Sequence, residues 1–143
     1  MIVYLDTNIY CRPLDDRSQP RINLEAEACL SILRAIEKGK IKSVTSDILK
    51  LEIYHADPIK KLYTIPFLAF SSKHIKESEE LKNNAQILQR RYHLKSRDVL
   101  HLASAIKAKV EFFITCDDEL IQKSKKISEI KILNPIEYLR QIS

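Results

Sequence analysis

The sequence predicts an α/β fold in which short buried parallel strands feed amphipathic helices. Two of the observations behind this are the apolar runs Ile2-Val3-Tyr4-Leu5 and Phe112-Phe113-Ile114, each ending in a polar break that carries aspartate. Short continuous apolar runs of this kind mark strands covered on both faces. The third is a long stretch with Ile22, Ala26, Cys29, Leu33 and Ile36 at helical spacing, which predicts a helix with one apolar stripe.

Taken in order, the first strand ends at Leu5, and Asp6-Thr7-Asn8 follows it. In open α/β sheets the groups just past the carboxyl ends of the strands line the ligand crevice, so Asp6 is placed to act. A polar loop from Arg12 to Pro20 leads into the long helix, which closes at Gly39. Ser43-Val44-Thr45 reads as a strand, and Ser46 or Asp47 caps a helix through Ile48, Leu49, Leu51, Glu52 and Ile53. Asp57-Pro58 is the cap and first residue of another helix, through Leu62. Ile65 to Phe70 fits either a helix end or a short edge strand. From about Ile75 to Tyr92 a helix presents Leu81, Ala85, Leu88 and Tyr92 on one face. Ser96 caps the next, whose stripe is Val99, Leu102, Ala103 and Ile106, with Asp98 one helical step off it at the rim. The second apolar strand then runs into Thr115-Cys116-Asp117-Asp118 and a helix-like Glu119-Leu120-Ile121-Gln122. Lys131 to Asn134 forms the last strand, and Pro135 opens a terminal helix with Ile136, Leu139 and Arg140.

Length and composition bound the answer. The 143 residues, 45% of them hydrophobic, support one sizeable core and no second. No apolar run approaches the roughly 18 residues needed to span a membrane, and the N-terminus lacks a charged segment followed by a signal-peptide core, which predicts a cytoplasmic protein. Cys11, Cys29 and Cys116 are odd in number and widely spaced, which supports neither a disulfide framework nor a zinc site. Cys29 falls on an apolar helix face, and Cys116 reads as packing because no base stands beside it. A single glycine, Gly39, excludes every glycine-rich phosphate loop.

Four acids, Asp6, Glu52, Asp98 and Asp117, are spread along the whole chain near strand and helix ends. Taken singly, Asp6 and Asp117 fit as helix caps and Asp98 as a complement to a helix dipole. Capping does not account for Glu52, inside a helix among Leu51, Ile53 and Tyr54. Together they point to a divalent metal site, because hard cations take oxygen ligands. The histidines, His55, His74, His93 and His101, form no evident acid and base pair. His101, one turn after Asp98, reads either as a structural residue or as a neighbour of the site.

Leu5-Asp6-Thr7-Asn8, the Ser46 to Glu52 segment, Asp98-Val99-Leu100-His101-Leu102-Ala103-Ser104-Ala105 and Thr115-Cys116-Asp117 occur in an order and rough spacing that resembles the PIN-domain nucleases, including the VapC-type toxins of toxin-antitoxin pairs. The resemblance implies a single PIN-like domain over residues 1–143, with a central, mostly parallel sheet flanked by helices. It also implies a Mg²⁺ or Mn²⁺ site formed by Asp6, Glu52, Asp98 and Asp117, with Asn8, Thr115 and Asp118 supporting and Asp117 or Asp118 as the fourth acid. The activity it implies is cleavage of single-stranded RNA, and the partners are the RNA, a small antitoxin protein and a second copy of the chain.

Charge fits a polyanionic partner. Residues 1 to 57 hold eight Lys or Arg against nine acids, and the rest hold sixteen against ten. From Lys82 to Lys109 seven cations accompany one acid, Asp98. Arg90, Arg91, Lys95 and Arg97 are the candidate RNA contacts, bordering the acidic cleft. A solvated helix face is the plainer reading of such a run. Tyr92 and His93 fit as base-stacking groups, and Tyr92 equally as core.

Two other classes are weaker. A haloacid-dehalogenase-like phosphatase would use Asp6 as nucleophile and Asp117-Asp118 for Mg²⁺, but position 8 is Asn where such enzymes carry an acid, and the glycines near the later pair are missing. A non-catalytic RNA-binding or interaction domain would keep the fold without turnover.

Overall fold

The computed structural model describes all 143 residues. Five strands, β1 (Ile2–Leu5), β2 (Lys42–Ser46), β3 (Lys73–Ile75), β4 (Phe112–Ile114) and β5 (Lys131–Leu133), form one sheet in the order β3-β2-β1-β4-β5. Every pairing is parallel, with Tyr4 opposite Val44 on one side and Phe113 on the other. The chain steps outward from β1 to β2 and β3, then returns to lay β4 on the other side of β1. That reversal opens a crevice at the carboxyl ends of β1 and β4, the place where ligands bind in open α/β sheets.

Around the sheet lie α1 (Thr7–Cys11), which runs into a 3₁₀ turn at Arg12–Leu14, then α2 (Pro20–Glu37), α3 (Asp47–Tyr54), α4 (Pro58–Leu68), α5 (Glu79–Tyr92), α6 (Ser96–Lys107), α7 (Asp118–Lys123) and α8 (Pro135–Ile142). Successive strand residues point to opposite faces. Tyr4, Val44 and Phe113 therefore meet Leu81, Leu88, Val99 and Leu102 of α5 and α6. Val3, Leu5 and Ile114 meet Ile32, Leu33, Leu49, Ile53 and Tyr138 on the other face. Both faces are dry, which is why the strands read as unbroken apolar runs. No helix is long and apolar enough to cross a membrane.

Local chemistry sets most of the boundaries. Ser46 accepts from the Leu49 amide to start α3 directly at the end of β2, and Asp57 accepts from Ile59 and Lys60 ahead of Pro58. Asn134 accepts from Ile136 ahead of Pro135. Gly39, with φ +77°, ends the turn after α2 in the left-handed region that glycine enters freely.

Four expectations need correcting. The helix after Pro58 continues past Leu62 to Leu68, so Ile65 to Phe70 contains a helix end and no strand. Pro66 lies in the last turn, so the ladder bond its missing N–H removes falls where the helix is about to end at Leu68. The helix expected from Ile75 starts at Glu79 with Ser78 as cap, and Lys73–Ile75 is an edge strand on β2 with a single apolar residue. Ser96 is not the cap of α6; Lys95 takes that position without a side-chain bond, and the Ser96 hydroxyl accepts from Gln89 Nε2 at 3.1 Å. Asp98 does not sit on the rim but is buried.

Candidate active site

Asp6 is the first residue beyond β1, and its amide still pairs with the Ile114 carbonyl of β4 at 3.0 Å, so the carboxylate is fixed where the sheet opens. One carboxylate oxygen, Oδ1, caps α1 by accepting from the Thr7 amide at 2.7 Å. The other, Oδ2, accepts from the Thr115 hydroxyl at 2.8 Å and from Asn8 Nδ2 at 3.3 Å. Asn8 also donates to Thr115 Oγ1 at 3.1 Å and accepts from the Cys116 amide at 3.0 Å. A carboxylate at position 8 lacks the donors for two of these bonds. The Asp117 amide completes the knot by donating to Thr115 Oγ1 at 3.1 Å. Asn8 and Thr115 thus hold Asp6 and tie the end of β1 to the end of β4.

Glu52 lies in the second half of α3, and since Ser46 starts that helix at the end of β2, its side chain reaches back over the sheet edge. Its Oε1 accepts from His101 Nε2 at 2.7 Å, from the Thr7 hydroxyl and from Arg97 Nη2 at 3.0 Å; its Oε2 accepts from Arg97 Nε at 2.6 Å. The second nitrogen of His101, Nδ1, meets Tyr4 Oη at 2.6 Å, and Tyr4 Oη meets Ser46 Oγ at 2.6 Å. Ser46, Tyr4 and His101 are all fully buried. With Glu52 ionised, one assignment uses every group: Ser46 donates to Tyr4, Tyr4 to Nδ1, and Nε2–H to the carboxylate. In that tautomer His101 has no lone pair left for a metal. It holds Glu52.

Asp98 sits in the first turn of α6, where an acid complements the helix dipole. Its Oδ1 accepts from Arg97 Nη1 at 2.8 Å. Asp117 caps α7 through the Leu120 amide at 3.2 Å, and it shares with Asp98 the wall of a small cavity that Lys95 and Lys123 also line. Burial, followed by the negative charges of Asp6 and Asp117, pushes the Asp98 carboxyl above its ordinary range, with Arg97 working against the rise. Glu52 moves the other way. Burial alone would raise it, but the bonds from His101, Arg97 and Thr7 outweigh that and hold it far below the usual carboxylate range.

The structure brings Asp6, Glu52 and Asp98 around the single guanidinium of Arg97, which reaches Asp6 Oδ1 at 3.3 Å. Asp117 stands next to Asp98. Asp118 turns away, its Oδ1 2.6 Å from Arg21 Nη2 at the surface. Among the basic candidates, Arg97 lies among the acids rather than beside them, Lys95 is exposed at the cavity mouth, and Arg90 and Arg91 are exposed in the last turn of α5 without touching an acid of the site. The sequence gives no site role to Thr7, Tyr4 or Ser46, although Ser46 is the helix cap that its position predicts, and it leaves His101, one turn after Asp98, open.

The donor set suits a hard divalent cation. Asp98 Oδ2 and Asp117 Oδ2 accept no hydrogen bond from the protein, while Asp6 Oδ1 and Glu52 Oε2 are each met by the Arg97 guanidinium. Carboxylate oxygens of Asp6 and Glu52 lie within 4.8 Å of each other, with His101 Nε2 as close but committed as a donor to Glu52. Carboxylate oxygens at such separations are what Mg²⁺ or Mn²⁺ takes.

A search of curated proteins gave no match. Among solved structures, the fold is similar to VapBC2 from Rickettsia felis bound to a DNA fragment from their promoter, at 17% identity and TM-score 0.59, over 94% of this chain and 98% of that one. It is similar to a toxin-antitoxin complex from Klebsiella pneumoniae at 22% identity and TM-score 0.59, over 90% and 94%. FitAcB from Neisseria gonorrhoeae matches at 18% identity and TM-score 0.59, over 95% and 99%. The model of the PIN domain matches residues 3–126, a span that takes in all of Asp6, Glu52, Asp98 and Asp117. The chain belongs to the PIN domain family.

Proposed function

We propose that this protein is a divalent-metal-dependent endoribonuclease acting on single-stranded RNA, and that it is the toxin of a cytoplasmic toxin-antitoxin pair. The observation that supports the reading is the gathering of Asp6, Glu52 and Asp98 around Arg97, with Asp117 beside Asp98, in a PIN domain. A divalent ion held by these carboxylates would lower the pKa of a coordinated water and would offset charge on the cleaved phosphodiester. The chain's own residues prepare for this. Asp6, Asp98 and Asp117 offer carboxylate oxygens, and Glu52 is kept ionised by its donors. Asn8 and Thr115 fix the Asp6 carboxylate, and His101 fixes Glu52. Lys95, Arg90 and Arg91 give the approach a positive field that draws a polyanion.

The neighbour named as a toxin-antitoxin complex supports a small antitoxin as partner; a second copy of the chain is the other partner of this reading. The test is cleavage of a single-stranded RNA by purified protein. Activity is expected with Mg²⁺ or Mn²⁺, to stop with EDTA, and to fall at least ~100-fold in Asp6→Asn and in Asp98→Asn, the scale of losing a main electrostatic contributor. Undiminished cleavage by either folded variant refutes the assignment.

A further inference from the structure

Arg97 occupies the second position of α6, directly before Asp98. Its three nitrogens reach four carboxylate oxygens: Nε to Glu52 Oε2 at 2.6 Å, Nη1 to Asp98 Oδ1 at 2.8 Å, and Nη2 to Glu52 Oε1 at 3.0 Å and to Asp6 Oδ1 at 3.3 Å. These acids come from three separate elements, and no other cation bridges them. The burial is lopsided. The Arg97 side chain is 41% exposed, whereas those of Asp6 and Asp98 are 1% and 5% exposed. The guanidinium therefore caps the acidic group from the solvent side, and it can leave by rotating about its own side chain without opening the core. A divalent ion needs oxygens at about 2.0–2.1 Å and cannot share them with N–H donors aimed along the same directions.

We propose that Arg97 is a tethered counter-cation of the site: it holds the carboxylates together in the metal-free protein and gives them up to solvent when a divalent ion binds. The proposal rests on the metal-dependent reading given above. It makes Arg97 a competitor of the metal as well as a positive charge near it. By linkage, whatever factor Arg97 takes from metal affinity, the metal takes from the Arg97 ion pairs.

The experiment is Mn²⁺ binding by calorimetry, together with thermal denaturation with and without Mn²⁺, on wild type, Arg97→Gln, Arg97→Lys and Lys95→Gln. Lys95 is the control for charge alone: it is exposed beside Asp98 and Asp117 and pairs with no acid. Arg97→Gln is expected to bind Mn²⁺ on the order of ten-fold more tightly than wild type, a usual size for coupling between two ligands of one site. Lys95→Gln should shift affinity by less than about three-fold, the remainder expected of a screened surface charge. The same Arg97→Gln change should lower the midpoint of the metal-free protein and leave the Mn²⁺-saturated midpoint nearer to wild type. Arg97→Lys, which keeps the charge but cannot span the three acids, should fall between. If Arg97→Gln does not fold, Arg97→Lys decides alone by tighter binding. Unchanged or weaker Mn²⁺ affinity in the folded Arg97 variants overturns the competition while leaving the metal reading intact, as does an equal gain in Lys95→Gln. Absence of Mn²⁺ binding in every protein overturns both.

Discussion

Replacing Tyr4 by Phe removes one oxygen from the middle of the line that ends on Glu52 and leaves the ring, stacked 5.3 Å from Phe113 at 10°, in place. That oxygen makes two hydrogen bonds of 2.6 Å, one with Ser46 Oγ and one with His101 Nδ1. Ser46 is left with the Leu49 amide as partner, so the larger loss falls on the fully buried His101, whose Nδ1 has no other partner. An unsatisfied buried polar group costs roughly 1–3 kcal/mol. For a chain of this size that is a fall of about 2–12 °C in Tm. The functional loss follows from His101 no longer being fixed in one tautomer and orientation against Glu52. Partners that orient a metal site from behind typically contribute about 10–100-fold in affinity or activity. Thermal denaturation and Mn²⁺ calorimetry on Tyr4→Phe measure the two effects. A variant with wild-type Mn²⁺ affinity and RNA cleavage, but lowered Tm, would show that the Ser46-Tyr4-His101 line only packs the core.

Further expectations concern substrate and pH. Replacing Arg91 and Lys95 by Gln should weaken RNA binding and flatten its salt dependence by roughly 0.7 in logarithmic slope for each phosphate that is no longer neutralised, with turnover at saturating RNA little changed; an unaltered slope in filter-binding titrations would leave them as a solvated face. Glu52 is held below its ordinary value, so the stability it contributes is present above the unfolded carboxylate range and fades as pH falls toward its folded value. Asp98 has the opposite sign: its raised value makes ionisation costly in the folded metal-free protein, a cost absent below the unfolded pKa and growing as pH rises through the folded one. The Tm deficit of metal-free Glu52→Gln should therefore shrink on going from pH 7 to about pH 3, while metal-free Asp98→Asn should be the more stable protein at pH 7; reversed signs in either melting series refute the assignment of the shifts.

The strands that form the floor of the site were legible because burial on both faces removes polar alternation, and Ile2–Leu5 and Phe112–Ile114 show none. Lys73–Ile75 was not, since Lys-His-Ile holds a single apolar residue, and Ile75 reads equally as the start of the helix that follows. Glu52 announced itself as an acid that capping could not explain. Helical spacing alone places Asp98 at the rim, because it cannot register that the turn from Asp117 into α7 closes beside it. His101 and Tyr4 were hidden for a related reason. They are separated by 97 positions, and each taken alone is an ordinary occupant of a core. Hydrogen bonds between buried side chains leave no spacing rule in the chain.

Arg97 shows how far a charge pattern can mislead about position while remaining right about chemistry. Counted along the sequence, it belongs to a run of cations suited to phosphate. In the fold it is the one member whose side chain turns inward, because α6 starts immediately before it and the helix directs its second residue over the ends of β1 and β2. The acids it meets would repel one another without a positive charge among them, and two of the three are anchored by other donors as well: Asp6 by Thr7, Asn8 and Thr115, Glu52 by Thr7 and His101. A rigid set of carboxylates with one mobile cation is a site in which the charge can be exchanged without the frame being rebuilt. Arg90, Arg91 and Lys95 remain outside as the part of the run that faces solvent. The same sequence segment thus supplies both the field that gathers an anion and the counter-charge that keeps the acids folded together.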